Sequence, residues 1–284
     1  MENKEIVFDL YRFQLLPLTR TPQPDFYRNE LPVEELKRRK NELFDEVLRN
    51  LPDLHHRTLS VRHKVIFKKG DWLVFKFGAQ KSVEREDEDF QIEHIDSWPH
   101  VTVIINNDPD VQIVAISRNI RAFSESQAVA NLLEKNFMKH LEALQLTLSI
   151  EGIFDKQNFW DIVNKYQGKL TSIKFELISP NMANISKALK VDLRQINAET
   201  NSHKTNLELN SAEGAVLEVS RENEIVDSLV EYASEGGGDI SIKIKGLSKK
   251  IHTQKTTRTI ELDELTVESL NETSLEILLQ SLKP

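Results

Sequence analysis

Cysteine is absent from all 284 residues. That excludes disulfides, thiolate catalysis and cysteine-ligated zinc or iron–sulfur centres, and it fits a reducing cytoplasm. Glycine is scarce, and its one run, Gly236-Gly237-Gly238, is followed by no Lys-Ser/Thr pair, so it makes no phosphate loop. HExxH, GxSxG and GxGxxG are also missing, and no cofactor or metal is expected. No stretch approaches the roughly 18 consecutive apolar residues of a spanning helix. Met1 to Glu5 is broken by acids and followed by no apolar h-region, so no signal peptide is expected and the protein reads as cytoplasmic. Positive charge is in deficit. Lysine and arginine number 37 against 45 acids, a net charge of −8, which argues against coating nucleic acid over the whole surface.

What is present suits a folded chain. Apolar residues make up 39% and charged residues 29%, enough to bury a core, and the length suits two domains of roughly 100–150 residues each. Ile6 to Pro17 reads as a long strand, and Thr21-Pro22-Gln23-Pro24-Asp25 as a loop. Pro32 to Leu51 reads as a helix with Leu36, Leu43, Val47 and Leu51 along one stripe. Leu59–Phe67 and Trp72–Phe77 pair across Lys69-Gly70-Asp71. Ser82 to Asp96 is crowded with acids and reads as a solvated loop; the alternative is a docking or cation-binding loop. Two apolar runs, Val101–Ile105 and Val111–Ile116, are split by Asn106-Asn107-Asp108-Pro109-Asp110, a turn signal. A helix follows from Ser124, read as its cap, to Leu144.

Later segments read as strand Thr147–Ile153, helix Lys156–Tyr166, strand Leu170–Ile178, helix Pro180–Ile196 and strand Thr205–Leu209. Val216–Val219 reads as extended, and Glu222–Glu235 as a helix stopped by the three glycines. Ile240–Lys245 and Thr256–Leu262 read as a last strand pair, and Leu275–Leu282 as a terminal helix. This alternation implies an α/β or α+β fold with mixed sheets and flanking helices, its second half open to a ferredoxin-like split βαβ arrangement. A boundary near Leu144–Leu148 divides an N-terminal domain, 1–145, from a C-terminal domain, 146–284.

The densest basic feature is the last strand pair, which holds Lys243, Lys245, Lys249, Lys250, Lys255 and Arg258 with no acid between Asp239 and Glu261. Ammonium groups gathered on one hairpin neutralise phosphates, so these six are the candidate nucleic-acid-binding residues. The alternative is edge-strand lysine that blocks aggregation. A second basic stretch, Arg62 to Lys76, lies among Trp72, Phe75 and Phe77, whose alternation favours a core role; the alternative is an exposed Trp72 beside the lysines in nucleic-acid contact. His-x-Thr occurs at His56, His100 and His203, the pattern of two-histidine phosphoesterases, in which one histidine is base and the other acid. His55-His56 are adjacent and cannot share a helix face, so they form no metal pair.

Several segments carry a family likeness: Ile6-Val7-Phe8-Asp9-Leu10-Tyr11-Arg12-Phe13, Pro99-His100-Val101-Thr102-Val103-Ile104-Ile105, Ala115-Ile116-Ser117-Arg118 and Lys174-Phe175-Glu176. Their order resembles that of uncharacterised bacterial proteins of phage-defence loci and, distantly in layout, the RexA-like family. That resemblance implies a cytoplasmic, oligomeric protein that binds DNA and signals to a partner effector, with no catalytic residue to transfer. The leading expectation is a non-catalytic antiviral-defence subunit that recognises nucleic acid or a phage component. The alternatives are a two-histidine phosphoesterase acting on a cyclic or RNA phosphodiester and a structural scaffold for an effector.

Overall fold

The computed structural model describes residues 5–19, 31–86, 88–180, 182–187, 189–190, 193–264 and 267. Strand β1 (Glu5–Pro17) sends Phe8 and Leu10 to one face and Tyr11, Phe13 and Leu15 to the other. Both faces are covered, so almost the whole strand is buried. Helix α1 (Val33–Arg49) buries Leu36, Leu43, Phe44 and Leu48. Strands β2 (Val61–Lys69) and β3 (Trp72–Ala79) form the expected hairpin, turned by Gly70 at φ +54°. The acidic stretch is not a loop. It folds into a second hairpin, β4 (Lys81–Glu86) with β5 (Ile92–Ser97), exposed along both strands. Each residue of one strand finds a ladder partner in the other, Val83 opposite Ile95 among them.

Strands β6 (His100–Asn106) and β7 (Ile113–Ser117) and helix α2 (Ser126–Leu141) follow, then β8 (Leu146–Gly152). The first sheet runs β2-β3-β6-β7-β1, and two strands share the far edge of β1. β8 takes Tyr11 to Pro17, while β13 (Thr259–Asp263) takes Glu5 to Asp9. Helices α1 and α2 cover one face, with Phe44 edge-on to both Phe13 and Phe137.

A second sheet is built after α3 (Lys156–Lys165) from β9 (Leu170–Ile178), β10 (Lys204–Asn210), β11 (Gly238–Ile244) and β12 (Ile251–His252), in the order β10-β9-β11-β12. Helices α4 (Ala183–Ser186), α5 (Leu193–Thr200) and α6 (Glu224–Tyr232) accompany it, and a second apolar core forms around Trp160, Phe159, Phe175 and Tyr232. The fold is α+β with antiparallel sheets.

Three expectations are corrected here. A split βαβ unit needs a parallel pair, and every strand pair among the described residues is antiparallel. The helix expected over Pro180–Ile196 is two shorter ones, with Ser186 Oγ bonded back to the Met182 carbonyl at 2.8 Å. Val216–Val219, read as extended, lies in no sheet, and Leu217 N donates to Leu170 O. The last strand pair does not form: β11 pairs with β9 and β12, and β13 crosses to β1 in the other sheet. The proline loop at Thr21–Asp25 and the terminal helix at Leu275–Leu282 lie outside the described residues.

The first sheet therefore takes strands from both sides of residue 145, and a cut there would part β8 from β1. The two sheets meet at Arg12. Its Nη1 donates to Val111 O at 2.7 Å and its Nε to Glu235 O, in the wide turn Ala233–Gly237. Close by, Glu151 of β8 is buried and accepts from Gln254 Nε2 at 2.8 Å.

Candidate functional site

The six candidate basic residues do not share a hairpin. Lys243 and Lys245 project from β11 and its end, Lys249 and Lys250 sit in the exposed turn before β12, and Arg258 is exposed just before β13. Lys255 lies in the 3-10 turn Thr253–Thr256 and lines a cleft between the two sheets. The cleft has a volume of about 490 Å³. Its walls come from β1, from the β7–α2 connection and from the β12–β13 connection.

The wall that carries Lys255 is organised by Asp239. Its carboxylate, 5% exposed, accepts from His252 Nδ1 at 3.0 Å, Thr253 Oγ1 at 3.0 Å and Gln254 N at 3.2 Å. A carboxylate only accepts, so the His252 proton sits on Nδ1 and Nε2 is left to the cleft. The opposite wall is organised by Asp9, also buried. Arg118 grips it with Nε at 3.0–3.1 Å and Nη2 at 2.6 Å, and the Ser126 hydroxyl adds a third donor. Tyr11 lies beside them in the same wall, its hydroxyl interacting with the Ser126 and Thr257 side chains. Burial pushes that phenol up to about 12, so it stays a neutral hydrogen-bonding group and not a base.

Helix α2 starts at this cleft. Its N-cap is Glu125, not the expected Ser124, and no side chain caps it. First-turn N–H groups left without a cap carry partial positive charge. Arg118 is still 55% exposed at its side chain, and Lys255 is exposed. Two carboxylates line the cleft. Asp9 is taken up by Arg118 and Ser126, and Glu125 stands exposed. The arrangement offers Arg118, Lys255 and a helix end to an anion, with His252 Nε2 facing the same space as an acceptor. Among the described residues no cluster of three His, Asp or Glu is placed to hold a metal.

The three His-x-Thr histidines stand on three different elements. His56 Nδ1 accepts from Thr58 N at 3.2 Å and Leu59 N at 3.1 Å in its own turn. His203 bonds Thr147 Oγ1 and Leu18 O, and His100 is the exposed first residue of β6. No two of them meet among the described contacts. Sequence reading missed Asp9, Tyr11, Arg118, Ser126 and His252. The one available signal was Asp9 itself, a charge inside an apolar strand, which buries only when a cation meets it. Compared with known proteins, the chain matches no family model, no curated protein and no solved structure.

Proposed function

We propose that this chain is a non-catalytic binding protein that takes a small phosphate-bearing ligand into the cleft between its sheets. The observation that carries the reading is the convergence of Arg118 and Lys255 at the uncapped start of α2, in a space of about 490 Å³. That volume suits a ligand of nucleotide size, since small-molecule sites span roughly 300–1,000 Å³. Arg118 and Lys255 come from different connections, so ligand charge would tie the two sheets together. Resemblance to phage-defence proteins supplies the setting: a cytoplasmic, oligomeric recognition subunit that passes its signal to a partner effector. No helix among the described residues is long and apolar enough to cross a membrane. The two-histidine reading has no matching support, because its histidines are engaged separately.

The test is thermal stabilisation and calorimetric titration with inorganic phosphate, mononucleotides and dinucleotides. At least one phosphate-bearing compound should raise Tm, and Lys255→Glu should weaken it about tenfold, as loss of one charged hydrogen bond predicts. No stabilisation by any of them at millimolar concentration, or an unchanged affinity in Lys255→Glu, would overturn the reading. Co-purification from the native host of one stoichiometric partner would bear on the effector.

A further inference from the structure

The first sheet carries a second charged surface, on the face away from α1 and α2. Alternation places the even-numbered residues of β3 and β6 there, with Val74 and Ile104 packed in its apolar part. Cross-strand register continues the pattern into charge. Arg62, Gly78 and His100 form one row, and Lys64, Lys76 and Thr102 the next. Trp98, just before β6, lies under the Arg62 guanidinium at 5.0 Å. Arg62, Lys64, Lys76, Gly78, Trp98 and His100 line, with His63, a shallow depression of about 270 Å³ that no carboxylate borders.

The pairing of Lys64 with Lys76 is informative. Like charges directly opposite on neighbouring strands destabilise a sheet. An acid between them would relieve the repulsion, yet Arg62, Lys64 and Lys76 pair with no acid among the described residues. Lys68, further along β2, is by contrast bonded to Asp45. Edge protection accounts for lysine on β2, the outer strand, but not for Lys76, because β3 is flanked by β2 and β6. A repulsion kept on an interior strand is relieved when an anion arrives.

We propose that this row binds single-stranded nucleic acid. Phosphates sit on Lys64 and Lys76, and one base stacks on the open plane of Arg62, which Trp98 backs from below. Arginine planes and aromatic rings take unstacked bases, which a single strand offers and a duplex does not. The acidic β4–β5 hairpin springs from the same end of β3 and β6, and Glu84, Glu86 and Asp96 share one of its faces. Its carboxylates would repel the second strand of a duplex running past that end of the sheet. This site is separate from the cleft and does not rest on it.

The test is fluorescence anisotropy of a labelled thymidine 12-mer, its duplex and anionic phosphatidylserine vesicles, at 50 mM salt and above. The single strand should bind more tightly than the duplex and quench tryptophan emission. Lys64→Glu should weaken it at least tenfold while Tm holds or rises, because the new carboxylate pairs with Lys76. Lys64→Gln with Lys76→Gln should lower the slope of log K against log salt by about 1.4, from roughly 0.7 per phosphate on a single strand. Arg62→Lys should keep the slope and lose about tenfold in affinity with the stacking plane. Lys255→Glu should change nothing here. No binding at low salt, an unaffected Lys64→Glu, binding to vesicles alone, or loss of binding in Lys255→Glu would each overturn the assignment.

Discussion

Glu151 gives the sharpest test of how the two sheets meet. It is 7% exposed and accepts from Gln254 Nε2, and Lys204 stands 4.0 Å away. Burial, reinforced by Glu134 and Asp239 and opposed by Lys204 and Gln254, raises its carboxyl from 4.5 to about 7. A raised acid binds its proton more tightly in the folded state than in the unfolded chain. Its contribution to stability is therefore complete below the unfolded value near 4.5, declines through the window from 4.5 to 7, and is lost above it. The difference corresponds to about 3 kcal/mol at 1.36 kcal/mol per pKa unit. Glu151→Gln keeps the shape and can still accept from Gln254, and it carries no proton to lose. Urea unfolding followed by circular dichroism at pH 5 and pH 8 measures the difference. The variant should exceed the wild type by just under about 1 kcal/mol at pH 5 and by about 3 kcal/mol at pH 8. A variant no more stable than the wild type at pH 8 would refute the argument, because the charged carboxylate would then be well solvated or fully paired.

Two further substitutions probe the frame of the cleft. Gly236→Ala should cost about 3 kcal/mol or more, measured by the same unfolding: Gly236 has φ +83° and a Cβ there would lie 2.4 Å from Arg12 Cβ, so strain and clash add. Asp9→Asn should lower stability by about 1–2 kcal/mol, since the amide loses the charge of a buried carboxylate that accepts from Arg118 and Ser126, while the half-exposed Arg118 can return to water.

Local chemistry made most elements legible. The 3.6-residue stripe of α1, the Gly70 turn and the Asn106–Asp110 turn each act within about ten residues, and each is where the pattern put it. What escaped was pairing over distance. Strand β13 reads as the partner of β11 because they are near in sequence, but Phe8 pairs with Ile260, and the exposed ladder edge of β1 decides. The same gap hid the cleft: Asp9, Arg118 and His252 lie on three strands or connections that only tertiary structure brings together. The acidic stretch was misread for a different reason. Charge density argues for solvent exposure, which is right, but exposure does not forbid a ladder between backbone groups.

That hairpin also changes what the net charge means. The described residues of 81–97 hold six acids against Lys81 and Arg85, so a net −4, half of the chain's excess of −8, rides on one exposed ribbon. A two-stranded ribbon alone is marginal in water, and this one carries Phe90 at its tip, 83% exposed and at φ +58°. An average over the chain therefore undervalues the rest of the surface as a place for anions. Near 0.15 M salt the screening length is about 8 Å, so carboxylates along the projecting ribbon act mainly on what lies beside them. Acid concentrated in this way does not neutralise Lys64, Lys76 or Lys255 elsewhere. It repels anions along one border and leaves the basic rows to set where a phosphate settles.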